Sequence, residues 1–398
     1  MDQQTMTFAR RFDGITGSAI REIFKVAAQP GMISFAGGNP ANEALPDAQC
    51  AEIARDVLLA DGKRILQYGA TEGYPPFLES LREYLEENLG LPAPKGTLLP
   101  ITGGTQGMSL LCGALLDPSD VVLVESPTFL GNMQILRLAQ AKLIPVESDE
   151  GGLLPEKLEE AARAHHPKML YVIPTFQNPS GLTLALERRK AIAKLAEKYN
   201  FLVVEDDPYR DLRYEGQALP PIKSFDTAGH VAYMGSFSKL ISPGLRVGYL
   251  LAREELLRKC AIGKQSADLH TPNLTQAMVD QYLRRGILAP HVQSVLPGYA
   301  RKLELMLQEL ASFPQGTRYT QPEGGLFIFV TMPEAFSATQ VFQEAVDQGV
   351  AYVPGTYFYP QGGHDNTLRL NFSNSTPEQI QKGMGLLREL FARKLREI

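Results

Sequence analysis

At 398 residues the chain is longer than one simple core fills, and two or three domains are expected. Hydrophobic residues make up 44% and charged residues 21%, the balance of a globular protein, and a net charge of −5 without any Lys/Arg block excludes the footprint of a nucleic-acid or membrane-surface binder. Local positive charge for a small anionic ligand remains open.

The chain begins Met-Asp-Gln-Gln-Thr with no apolar signal core, and no apolar run reaches about 18 residues. Three cysteines, Cys50, Cys112 and Cys260, lie far apart without metal-ligand spacing, and Cys112 and Cys260 fall in apolar or helical sequence, where buried thiols are expected. His165 and His166 read as a solvated loop pair. A cytoplasmic protein without a metal site is the expectation.

Short apolar, β-branched runs alternate with helical patterns from 98 to 251, the pattern of a mostly parallel sheet covered on both faces. Seven strands are predicted, at 98–102, 121–125, 143–146, 169–173, 201–205, 231–235 and 247–251. Helices are predicted between them at 105–116, 129–139, 155–164 and 186–199. From about 290 the character changes to a smaller α+β unit: a long helix over 290–313, an apolar stretch at 324–331, a helix at 338–348, short strands near Ala351 and Thr367, and a last helix at 377–395. The expected division is an N-terminal segment over 1–45 that joins the small domain, a large α/β domain over 46–289, and a small domain over 290–398.

In open α/β sheets ligands collect beyond the carboxyl ends of strands, so the residues that follow each strand carry the functional signal. Thr102, Gly103, Gly104 and Thr105 open a helix after the first strand. Glycines let backbone approach an anion, and a helix start offers free N–H groups. Phe129 follows the second strand and could stack on a planar ring. Asn178, in a Pro- and Gly-rich turn after the fourth, could donate to a phenolate oxygen, and Tyr209 could reach the same atom. Asp206 ends the fifth strand, where a carboxylate could pair with a protonated ring nitrogen.

The sixth strand delivers the densest run, Gly235 to Tyr249, with Ser236, Ser238, Lys239 and Arg246. Two hydroxyls and a guanidinium suit a phosphate, and Lys239 can form a Schiff base with an aldehyde. Pyridoxal 5'-phosphate carries both groups. Any one of these residues alone is better explained as a turn, a cap or packing. Their complementary roles at successive strand ends favour the cofactor.

Together with Phe35 to Pro40, Leu66 to Gly69, Asn178 to Gly181, Asp206 to Tyr209 and Leu368 to Ser373, these residues resemble the fold type I enzymes that use this cofactor. Within them the chain is similar to the class I/II aminotransferases of the 2-aminoadipate/kynurenine group, whose domain also recurs in MocR-type regulators. The resemblance implies that Lys239 bonds the cofactor, Asp206 binds the ring nitrogen, and Asn178 and Tyr209 contact the ring hydroxyl. It assigns the phosphate to Ser236, Ser238, Arg246 and the Gly104–Thr105 backbone, and the stack to Phe129, where the group often has Tyr. Tyr68 matches a tyrosine that reaches the neighbouring subunit's phosphate, which implies a homodimer. Arg369 becomes the clamp on the substrate α-carboxylate, completed by Asn178 and the Gly38 backbone. The stretch 15–23 resembles a segment that folds over the substrate side chain.

The implied reaction is ping-pong transfer of an amino group from an aromatic, aliphatic or 2-aminoadipate-like L-amino acid to a 2-oxo acid, with 2-oxoglutarate as the expected acceptor. A carbon–sulfur lyase on the same fold is an alternative. A non-catalytic sensor of the cofactor is another, although it would need a DNA-binding segment ahead of Phe35, where 34 residues stand.

Overall fold

The structure is a computed structural model and describes residues 6–13, 23, 25 and 29–397. Its fourteen strands in chain order are β1 (Ile33–Ser34), β2 (Leu98–Ile101), β3 (Val121–Ser126), β4 (Lys142–Asp149), β5 (Gly152–Leu153), β6 (Met169–Val172), β7 (Leu202–Asp206), β8 (Val231–Ser236), β9 (Gly248–Leu251), β10 (Arg318–Tyr319), β11 (Phe327–Thr331), β12 (Val350–Ala351), β13 (Val353–Pro354) and β14 (Thr367–Asn371). The large sheet has the order β2-β9-β8-β7-β6-β3-β4-β5. Each of the seven predicted strands is present. The sheet nevertheless has eight, because the two-residue β5 pairs antiparallel with the end of β4. A strand that short carries no hydrophobic period to read.

Every residue of β6 and β7 is buried, which explains why these strands read as continuous apolar runs rather than as alternation. The covering helices begin and end on local signals. Pro155 opens Pro155–His165 at its first turn, and Asn200, with φ +52°, closes Leu186–Tyr199 in the left-handed conformation. Four helices escaped prediction, Asp47–Ile65, Pro75–Leu89, Glu254–Ala267 and Asn273–Arg284.

The smaller unit holds the antiparallel sheet β10-β11-β14-β13. The N-terminal segment joins it through β1, which pairs in parallel with β12. Helix Leu288–Leu310 serves two cores: Leu288, Val292 and Tyr299 pack with the large one, whereas Leu303, Met306 and Leu310 pack with the small one. The thiols of Cys112 and Cys260 are buried, as expected, and Cys50 is half-buried. Among the described residues no helix is long and apolar enough to cross a membrane.

The turn Gly355–Phe358 is held against β14 by a close approach that only glycine permits. A Cβ on Gly355 would lie 1.9 Å from Thr367 Oγ1 and 2.8 Å from its backbone carbon. Gly355→Ala should therefore destabilise the protein by about 1–3 kcal/mol, measured by urea denaturation. An unchanged midpoint would show that this contact relaxes at no cost.

Candidate active site

Chain direction decides which residues meet at one sheet edge. β3, β6, β7 and β8 are parallel, so their carboxyl ends lie side by side. β9 runs antiparallel to both β8 and β2, and Gly248 at its start pairs with Ser236 on one side and Ile101 on the other. Arg246, just upstream, is thereby delivered between the 236–239 loop and the 102–105 turn.

Arg246 and Gly103 fit each other closely. Arg246 has φ +53° and its Nη2 donates to the Thr102 carbonyl at 3.1 Å, while Gly103, with φ +83°, offers a surface on which a Cβ would stand 2.2 Å from that nitrogen. Helix Gly104–Leu115 starts at the same turn, and the N–H groups of Gly104 and Thr105 in its first turn have no intrahelical acceptor. The Ser238 backbone N–H donates to Ser236 Oγ at 3.2 Å, which holds both serines on one tight loop. A guanidinium, two hydroxyls and a helix start could together hold a phosphate dianion.

Asp206 lies deep at the end of β7, and both of its side-chain donors use the same oxygen. Tyr171 donates to Oδ2 at 2.7 Å and Asn132 at 3.3 Å, leaving Oδ1 without a protein donor among the described residues. No Lys or Arg of the described residues forms an ion pair with it. Burial, with the Asp207 charge adding to it, pushes its carboxyl up to about 7. A cation with a directional N–H placed against Oδ1 would relieve that cost. A protonated pyridine nitrogen has both properties.

Lys239 is half-buried, and its Nζ donates to the Gly38 carbonyl at 2.7 Å. Burial, followed by the Arg246 and Arg369 charges, lowers its ammonium to about 8, so a fraction is free base near neutral pH. Burial and then the Asp206 charge raise the Tyr209 phenol, which stays protonated; its ring meets Phe327 edge-on at 5.8 Å.

Arg369 stands on β14, between β11 and β13. Its Nη1 donates to Asn178 Oδ1 at 2.7 Å, and its Nη2 to the Ala36 carbonyl. The guanidinium lies between the Phe327 ring at 4.3 Å and the Phe358 ring at 5.0 Å, and its Nε has no partner. Burial lowers it to about 10, still a cation at neutral pH, and no carboxylate of the described residues pairs with it. An arginine so placed is disposed to take an anion.

Lys239, Gly38, Asn178, Tyr209, Asp206 and Arg369 are therefore linked by direct bonds, ring contacts or electrostatic coupling, and Ser236, Ser238, Arg246, Gly104 and Thr105 lie on the adjoining loop and helix start, where they could cup an anion. Phe129 is half-buried at the start of Leu130–Leu138, its ring tight against Gly131, where a Cβ would come within 2.6 Å of it. Tyr68 stands apart. It is 79% exposed, makes no hydrogen bond to the other predicted residues, and touches His270 edge-on at 6.2 Å. Most of the predicted 15–23 cover lies outside the described residues.

Sequence reasoning missed several supports. Tyr171 and Asn132 fix the orientation of Asp206, and the only signal was a tyrosine inside an apolar strand. Arg189 is fully buried yet binds no carboxylate directly; it donates to the carbonyls of Pro174, Leu184 and Pro220 and to Thr175 Oγ1. It staples both ends of the turn that carries Asn178. Glu205 accepts from the Ile222 and Lys223 backbone N–H groups at 2.7 and 2.8 Å, and so turns away from the cleft.

Residues 30–387 match the family model of aminotransferase class I and II. The chain belongs to that family. It is 37% identical to the aromatic-amino-acid aminotransferase 1 of Thermococcus litoralis, over 98% of this chain and 95% of that protein. Its structure superposes on the multiple substrate aminotransferase from Thermococcus profundus with a TM-score of 0.94, at 36% identity and with 98% of each chain covered. Against the alpha-aminoadipate aminotransferase of Thermus thermophilus, whose crystal structure contains N-(5'-phosphopyridoxyl)-L-leucine, the TM-score is 0.90, again at 36% identity and with 98% of each chain covered. The protein is thus a pyridoxal 5'-phosphate-dependent aminotransferase of the fold type I class. The unspent Asp206 oxygen, the depressed Lys239 amine and the cup around Gly103 fit that cofactor.

Because Asp206 is raised from an ordinary carboxylate to about 7, the cofactor-free folded state retains a proton that the unfolded chain has released. Its stability contribution therefore falls as pH rises from about 4 to 7, by at most about 1.4 kcal/mol per pH unit, and the penalty is complete above that window. Apo Asp206→Asn carries no such penalty and should unfold at higher urea than wild-type apoprotein at pH 8, with the gap narrowing toward pH 5. A gap that widens as pH falls would reverse the sign argued here.

Proposed function

We propose that this site moves the α-amino group of an aromatic, aliphatic or 2-aminoadipate-like L-amino acid to a 2-oxo acid, with 2-oxoglutarate as the principal acceptor, in a ping-pong cycle. The observation that carries the reading is a buried carboxylate without a cation, Asp206, and a buried guanidinium without an anion, Arg369, in one cleft with an amine whose ammonium is disfavoured. The names of the relatives support the donor range, covering aromatic amino acids, multiple substrates and alpha-aminoadipate.

Bound there, pyridoxal 5'-phosphate supplies a carbonyl carbon that receives the amino group and a ring that accepts electrons from the substrate Cα. Asp206 Oδ1 would hold the ring nitrogen protonated. Asn178 and Tyr209 would donate to the ring oxygen, with Phe129 against the ring face. Ser236, Ser238, Arg246 and the Gly104 and Thr105 backbone would hold the phosphate. Arg369 would bind the α-carboxylate through parallel hydrogen bonds, flanked by Asn178 and the Gly38 backbone. That grip would turn the substrate Cα–H toward Lys239 Nζ, which as a free base would take the proton and return it to the carbon that receives the amino group.

The same reading takes the working unit as a homodimer in the cytoplasm. Tyr68 supports it: a tyrosine left 79% exposed, without a hydrogen bond to the rest of the site, is suited to reach a partner's phosphate.

Lys239→Ala should lower kcat by at least about 10²–10⁴-fold, and borohydride treatment of the wild-type holoenzyme should fix the chromophore to the peptide that contains Lys239. Label on another lysine would overturn its assignment.

A panel of L-amino acids assayed for glutamate formation from 2-oxoglutarate should show aromatic, aliphatic and 2-aminoadipate donors all turned over. Strict preference for one small donor would defeat the broad range. Pyruvate formed without any oxo-acid acceptor would favour the carbon–sulfur lyase.

A further inference from the structure

Behind the 102–105 turn lies a polar network that no role assigned above uses. Lys264, in helix Glu254–Ala267, is buried with no exposed side-chain surface, and its Nζ donates to Gln106 Oε1 at 2.7 Å and to both Asp268 oxygens at 3.0 Å. Gln106 Oε1 also accepts from the Thr102 backbone N–H at 2.8 Å, while its Nε2 donates to Asp268 Oδ2 at 2.6 Å. Thr102 Oγ1 donates to the same carboxylate oxygen at 2.7 Å. The Thr102 carbonyl, in the next peptide unit, receives Arg246 Nη2.

The connectivity allows one arrangement. Two donors meet Gln106 Oε1 and a carboxylate faces Nε2, so the amide cannot flip without placing like partners together. Gln106 is the third residue of helix Gly104–Leu115, and it pulls the Thr102 N–H back toward the helix start, as a capping side chain does. A buried ammonium is costly to maintain, and here it meets a carboxylate and a fixed amide rather than water.

We propose that Lys264 and Asp268, acting through Gln106 and Thr102, are positioning residues that set the 102–105 turn and Arg246 for the cofactor phosphate. The proposal rests on reading that turn as the phosphate site. Both residues act through the 102–105 turn and bond none of the residues read as holding the ring or the amine, so their effect belongs to the phosphate.

The test titrates apoprotein with pyridoxal 5'-phosphate and, separately, with pyridoxal, which lacks the phosphate, following the absorbance of the bound chromophore. Lys264→Met keeps the alkyl stem and removes the charge; Asp268→Asn changes a partly exposed partner and decides the matter if the first variant fails to fold. Expected is a Kd for pyridoxal 5'-phosphate raised about tenfold in Lys264→Met and about threefold in Asp268→Asn, from loss of charge-assisted hydrogen bonds. The Kd for pyridoxal should move less than about twofold, since those bonds serve the phosphate. Parallel weakening toward both ligands would make the network merely structural and overturn the proposal, as would an unchanged Kd for pyridoxal 5'-phosphate. If wild-type protein bound the two ligands equally, the phosphate reading of the turn would fail first and the proposal with it.

Discussion

Two buried charges without protein counterions govern this molecule. Asp206 ends β7 in the large sheet and Arg369 stands on β14 in the small one, and neither finds an opposite charge within hydrogen-bonding reach among the described residues. Unpaired charges at such depth cost stability, so a fold retains them only where something else completes them. In the proposed function, a ring cation completes the one and a substrate carboxylate the other. Asn178 connects the two sides, because its amide oxygen holds the Arg369 guanidinium while its turn springs from the large sheet.

The same burial sets the acid–base chemistry. Low polarity raises Asp206 and lowers Lys239, bringing a carboxylate and an amine with very different ordinary values to about 7 and about 8. Titratable groups displaced toward neutrality in one cleft mark a site built for proton movement. Aromatic rings contribute too: Phe327 contacts both the Arg369 guanidinium and the Tyr209 ring, so one side chain keeps two functional groups in place.

Much of the site was legible because its parts follow strands. A strand ending in Asp206, a run with Ser236, Ser238 and Lys239, and a guanidinium in the apolar Leu368–Asn371 stretch each leave a polar residue where periodicity predicts an apolar or turn residue. Other parts were silent. Tyr171 left only the faint mark of a tyrosine inside an apolar strand, and Asn132 and Gln106 sit within helices, where nothing in their neighbourhoods separates them from ordinary core or surface positions. Arg189 and Lys264 stand on helices among other charged residues, although the fold buries both completely. β5 was missed for the simpler reason that two residues cannot show a period.

By itself the sequence determined the strand-helix alternation, the residue types at the strand ends and, through combined motifs, the family and its cofactor. These are local properties, set by side-chain chemistry and hydrophobic spacing along the chain. Only the tertiary structure decided that β9 runs against β8 and β2, and so which loops flank Arg246. It alone decided that Gly38 meets Lys239, that Phe327 and Phe358 enclose Arg369, and that a lysine and an aspartate behind the 102–105 turn orient Gln106. Those contacts join residues up to 201 positions apart in the chain, and their geometry depends on strand direction and packing, which no local pattern encodes.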